Sequence, residues 1–153
     1  MATYTFQERY FIAAPIRTVY AHLSEPQNYM GLSPLLVEVS DISRTLDSRG
    51  KTVIHYRAVE ELRYFGFIKY HNPIRVALTL TEMNKHMLTE VKANLGIFMR
   101  FRYDFEEVGG STWITEIVEA QTPTLLSSYV IGQAKHAQQS RINNLKARME
   151  SVS

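Results

Sequence analysis

The stretch "FIAAPIRTVYAHLSEPQNY", Phe11 to Tyr29, runs from a strand through a proline into a helix and halts again at Pro26. Upstream, Tyr4, Phe6, Tyr10 and Ile12 fall on alternate positions, the period of one face of a β-strand. Pro15 has its φ pre-set for a helical first turn and lacks an N–H that would go unpaired there. Ile16, Val19, Tyr20 and Leu23 then repeat at helical spacing and form one apolar stripe. Ser24 is placed to cap a second short helix that opens on Pro26. A strand leading directly into a pair of short helices is therefore expected.

Downstream the pattern changes to strands. "LVEVSDISRTL" runs into the turn-rich "DSRGK", which returns the chain into "TVIHYRAVEEL". In "RYFGFIKYHNPIRVALTL" a break is expected at Asn72-Pro73, because proline cannot donate to a ladder. "HMLTEVKANL" and "FMRFRYDFEEV" follow, and Gly109-Gly110 makes a hairpin turn into "STWITEIVEA". Short connections favour antiparallel neighbours. From Thr124 to about Glu150 there is no proline and one glycine, Gly132, which predicts a long helix. The expected order is strand, short helices, about six strands and one long helix. That is an α+β class, with helices against one face of an antiparallel sheet.

At 153 residues the chain is expected to be one domain, 1–153, with a substantial core. A net charge of +2 is too small to imply a polyanionic partner. The chain has no cysteine, so disulfides and thiolate chemistry are excluded, and a reducing compartment fits. No apolar run reaches the length of a membrane span, and "MATYTFQERY" carries charges where a signal peptide would be apolar. The expectation is a cytoplasmic protein with no integral membrane segment.

The long helix is unevenly filled. Ile131, Ala134, Gln138, Ile142, Leu145 and Met149 fall on one stripe, bulky toward the C-terminal end. Toward the N-terminal end Gly132, Gln133, Ala134 and Ala137 are small or polar, beside Tyr129 and Val130. Such a helix either covers a cavity at its under-filled end or packs closely on the sheet there. Alternation along the strands says what would line a cavity. Met99, Phe101, Tyr103 and Phe105 face inward, as do Met87, Thr89, Val91, Ala93 and Leu95. The other inward sets are Val76, Leu78 and Leu80, then Ile54, Tyr56 and Ala58. "TWITEIVEA" is ambiguous, and the Ile114, Glu116, Val118 and Ala120 face is preferred, which would bury Glu116. An apolar, aromatic interior with a few hydroxyls suits a small-molecule site, and equally a filled core.

"RYFIAAPIRTVYAHLSEPQNY" resembles the opening of the START-like (SRPBCC) superfamily in its polyketide cyclase/dehydrase and lipid transport branch. The residues carrying the likeness are Ala14-Pro15, Val19-Tyr20, Leu23 and Pro26, with "NPIRV" and the closing "AKHAQQSRINNLKARME" in the same order. The resemblance implies a helix-grip fold, in which a curved antiparallel sheet wraps a long C-terminal helix and encloses an apolar pocket. The short helices after the first strand would close the gap at one end. It implies neither one function nor one ligand, since that superfamily includes lipid carriers, hormone binders, aromatase/cyclases and quinone binders.

Chemistry must come from residues. His22, His55, His71, His86 and His136 are scattered, and no HExxH, phosphate-cradling glycine loop or G-x-S-x-G elbow is present, so no metal, cofactor or nucleophile is assigned. An inward arginine could polarise a ketone, but Arg57, Arg100 and Arg102 alternate outward. Those cations interleave with Glu90, Asp104 and Glu106, which reads as a solvated sheet face and not as a nucleic-acid stripe. The expected ligand-lining residues are Tyr56, Leu78, Thr89, Val91, Met99, Phe101, Tyr103, Glu116, Tyr129, Val130 and Gln133. The leading expectation is a non-enzymatic binder or carrier of a lipid, isoprenoid or polyketide-like aromatic, as monomer or homodimer. The alternatives are a cyclase/dehydratase working through Tyr103 and Glu116, and a quinone-binding module.

Overall fold

Each alternating segment became a strand, and all of them joined one sheet. In the computed structural model, which describes residues 1–64 and 67–151, β1 (Ala2–Ile12) precedes α1 (Ile16–Leu23) and a single 3₁₀ turn, Pro26–Tyr29. Then come β2 (Leu36–Leu46), β3 (Thr52–Tyr64), β4 (Ile68–Glu82), β5 (His86–Lys92), β6 (Phe98–Val108) and β7 (Ser111–Thr122). Helix α2 spans Ser127–Glu150. The seven-stranded sheet has the order β1-β7-β6-β5-β4-β3-β2, antiparallel throughout. It curves around α2 in a helix-grip arrangement, with α1 against β6 and β7 and the 3₁₀ turn against β2.

The β7 register resolves the ambiguous strand. Ile114, Glu116, Val118 and Ala120 are all 0% exposed, and Trp113, Thr115, Ile117 and Glu119 lie on the other, half-buried face. On α2, Ile142, Leu145 and Met149 are buried, whereas Val130, Ile131, Gln133, Ala134 and Ala137 are only half-buried. Burial therefore follows the filling of the stripe. The C-terminal end is anchored by Arg148, which donates to the carbonyls of Asn28 and Met30 and contacts His22 Nε2. Desolvation, and then the Arg148 charge, lower the His22 pKa. Tyr20 ties α1 to β5 through its hydroxyl, 2.8 Å from the carbonyl of His86, and packs edge-on to Phe105.

Several local expectations need correction. β4 runs through Asn72-Pro73 without a break. β5 pairs with β4 only from Arg75 onward, so Pro73 lies where β4 is an edge on that side and a missing donor is tolerated. Ser24 caps no second helix. It ends α1 and donates its hydroxyl back to the Tyr20 carbonyl at 2.7 Å, while Glu25 precedes the 3₁₀ turn. Leu95 is not inward: β5 ends at Lys92, and Leu95 sits in a turn at φ 63°, 71% exposed. Thr124–Leu126 form a 3₁₀ turn, so the α-helix begins at Ser127. Tyr4 is 40% exposed on β1, an edge strand of the sheet.

Candidate ligand-binding site

Where the N-terminal half of α2 crosses the sheet, the small side chains leave a cavity of about 170 Å³. Its roof runs from Tyr129 to Arg141, roughly 18 Å along the helix at 1.5 Å per residue. Among its lining residues Tyr129 alone is exposed, and Tyr29, Tyr103, Thr89 and Arg141 are buried, so the space has a mouth and an inner end. An apolar void of about 150 Å³ admits a benzene ring, whereas drug-sized ligands occupy about 300 Å³ or more. The cavity therefore takes one ring or a short branched chain, and a larger ligand must extend through the mouth.

The expected lining residues divide in two. Tyr56 of β3, Thr89 and Val91 of β5, and Met99, Phe101 and Tyr103 of β6 all line the cavity. Tyr129, Val130 and Gln133 line it from α2. Leu78 and Glu116 do not. Leu78 is 0% exposed and belongs to the closed core, although its strand partner Thr89 lines the cavity. Glu116 is likewise sealed, at 0% exposure, and does not line the cavity.

Glu116 is nevertheless the centre of the polar chemistry. It accepts from the Tyr10 hydroxyl at 3.0 Å, from Gln138 Nε2 at 2.8 Å and from the Arg141 guanidinium. A carboxylate at zero exposure is tolerable only with such partners, because an unpaired buried charge costs several kcal/mol. Burial is the largest influence on Arg141 and opposes its charge, but Glu116 together with Tyr103, Tyr10 and Tyr29 outweighs it and holds the guanidinium pKa above its ordinary value. Arg141 also bonds Tyr103, and its side chain keeps 10% of its surface, where Glu116 keeps none. Burial first, then the Glu116 charge, raise the pKa values of Tyr10 and Tyr103, so both phenols stay protonated. Of the ion pair, Arg141 is thus the member that faces the cavity.

The sequence reading missed Arg141, although a signal existed. Ala134, Gln138, Arg141 and Leu145 are spaced four, three and four apart, so Arg141 lies on the stripe that was traced. It also missed Glu60, which alternates onto the same face of β3 as Tyr56 and Ala58 and lines the cavity near Asn72. Desolvation raises the Glu60 pKa, and a hydrogen bond from Asn72 at 3.4 Å opposes that shift. Four residues of strand separate Glu60 from Tyr56, about 13 Å. Thr89 Oγ1 is buried and has no hydrogen-bond partner among the described residues. Such an orphan on a cavity wall marks a place where a ligand atom or a water would be satisfied.

Among the described residues no group of three or more His, Asp or Glu side chains converges to hold a metal ion. No described helix is long and apolar enough to cross a membrane. No protein-family model and no curated protein matches the chain. Solved structures do. A START superfamily protein from Mycobacterium smegmatis superimposes with a TM-score of 0.76 at 16% identity, over 97% of this chain and 99% of that one. The chain has the START-like, polyketide cyclase-type fold. The protein TTHA0849 from Thermus thermophilus superimposes with a TM-score of 0.75 at 11% identity, over 98% and 99% of the two chains. The Zhui aromatase/cyclase from a Streptomyces species gives 0.73 at 12% identity, over 97% and 94%. At these identities the START-like likeness carries the architecture, and the side chains of the cavity must carry the chemistry.

Proposed function

We propose that residues 1–153 form one START-like domain that binds and carries a lipophilic small molecule, of lipid, isoprenoid or polyketide-like aromatic type, under the N-terminal half of α2. The observation that supports this is the cavity itself: an elongated apolar space, walled by Val76, Val91, Met99 and Phe101, that ends on buried polar groups. The fold neighbours support a ligand-binding or cyclase-type role in general. Titration of a small neutral fluorophore, followed by native mass spectrometry of material extracted from the purified protein, tests it. Saturable fluorescence gain and a stoichiometric adduct are expected. Absence of both, together with a structure in which side chains fill the space, would refute carriage.

A second reading, a cyclase/dehydratase, is favoured by one observation. Arg141 and Tyr103 present donors at the inner end, where they would stabilise charge developing on a ligand carbonyl oxygen. Glu116 acts there through Arg141, as its counter-charge, because it is sealed from the cavity. On this reading Tyr103→Phe lowers turnover of a poly-β-ketone at least tenfold while binding persists. Unchanged turnover removes the catalytic reading and leaves the carrier.

A further inference from the structure

The charges around the cavity do more than mark its polar end. They bear on which kind of oxygen a ligand can present there. Among the described lining residues Arg141 and Glu60 are the charged ones. The positive charge of Arg141 is already matched by Glu116, which accepts from it in a fully sealed position. Glu60, when ionised, adds a further negative charge at the far part of the same wall. An incoming carboxylate would therefore meet a cavity whose fixed charges sum to zero or to minus one, and it would lose its hydration without gaining a counter-ion.

A neutral oxygen fares differently. A guanidinium carries five N–H donors in a fixed fork, and Glu116 and Tyr103 do not use them all. Arg141 retains its residual exposure on the cavity side and lies 5.4 Å over the Phe101 ring. Phe101 pairs directly with Thr89, whose hydroxyl is the buried orphan. A ring or chain stacked along Phe101 and Val91 would thus bring a terminal oxygen within the reach of both.

We propose that the inner end of this cavity selects a ligand bearing a neutral carbonyl or hydroxyl oxygen, and rejects the carboxylate of the same shape, because the Glu116–Arg141 pair supplies donors without net charge. The proposal rests on the cavity being the binding site. Calorimetric titration at pH 7.5 with 4-propylacetophenone, 4-propylphenol, 4-propylbenzoate and propylbenzene tests it. The ketone and the benzoate are nearly isosteric, so their difference reads charge. The ketone and the phenol bind at least tenfold more tightly than the benzoate, and more tightly than propylbenzene. Glu116→Gln leaves Arg141 uncompensated, and the benzoate then gains at least tenfold relative to the ketone. The wild-type series stands without that variant, should it not fold. Benzoate binding equal to or tighter than the ketone, no preference of the ketone over propylbenzene, or an unaltered preference in folded Glu116→Gln would each overturn the proposal. Failure of all four compounds to bind would remove the cavity as a binding site, and the selectivity with it.

Discussion

Enlarging Ala134 separates an open cavity from a packed core. Ala134 is half-buried and lines the cavity, and its substitution by leucine adds three carbons that point into unfilled space. Each buried carbon contributes about 0.8 kcal/mol, half-burial halves that, and the ordered leucine loses about 0.5–1 kcal/mol of rotamer freedom. Ala134→Leu is therefore expected to change stability by between about 0 and +1 kcal/mol, whereas insertion into a filled interior costs about 1–3 kcal/mol. The new side chain occupies the ligand's space, so probe affinity falls at least tenfold. Leu145, 1% exposed on the same helix, is the control. Leu145→Ala costs about 2–5 kcal/mol, which lowers the melting temperature by roughly 4–20 °C in a chain of this size. Urea unfolding and thermal melts of both variants, paired with probe titrations, give the comparison. Destabilisation of Ala134→Leu as large as that of Leu145→Ala would refute the cavity.

Three further outcomes follow from the same geometry. Glu116→Ala removes one partner of a sealed ion pair and leaves the Arg141 charge uncompensated, so a loss of about 3–5 kcal/mol is expected in chemical unfolding; a loss under about 1 kcal/mol contradicts the burial of the pair. Thr89→Val deletes a buried hydroxyl that bonds to nothing described, so it is expected to be neutral or stabilising by up to about 1 kcal/mol. A cost above about 1.5 kcal/mol would show that the hydroxyl has a partner. Glu60 is raised in the fold, so the native state binds the proton more tightly than the unfolded chain, and its burial erodes stability as pH rises from the unfolded to the folded pKa. Glu60→Gln should thus raise the melting temperature at pH 7 and leave it nearly unchanged at pH 4; an equal effect at both would exclude the titration of Glu60 as the cause.

Local periodicity was enough for the strands, the long helix and most of their faces, β7 and Leu95 excepted. The alternation of Met99, Phe101, Tyr103 and Phe105 with charged residues specified the inner side of β6, because in a strand the side-chain direction follows residue parity. The uneven stripe of α2 likewise told which end of the helix would be well packed, since side-chain volume is a property of the sequence itself. The break expected at Pro73 shows the limit of such rules, because the tolerance for a missing donor depends on where the neighbouring strand stops.

The polar end of the cavity is of another kind. Tyr10 and Glu116 lie 106 positions apart in the chain, and Glu116 and Arg141 lie 25 apart. They meet because β1 pairs with β7 in one register and α2 crosses that pair at one height. No spacing along the sequence encodes either distance. Read alone, Arg141 was passed over, and Glu116 was an inward-preferred carboxylate with no partner in view. Composition and periodicity by themselves determined an antiparallel sheet packed against a long helix with an under-filled end, and the family resemblance supplied the wrapped, helix-grip form. Only the tertiary register decided that a sealed carboxylate would turn an arginine toward the space beneath it, because long-range electrostatic pairing depends on three-dimensional distance and not on order in the chain.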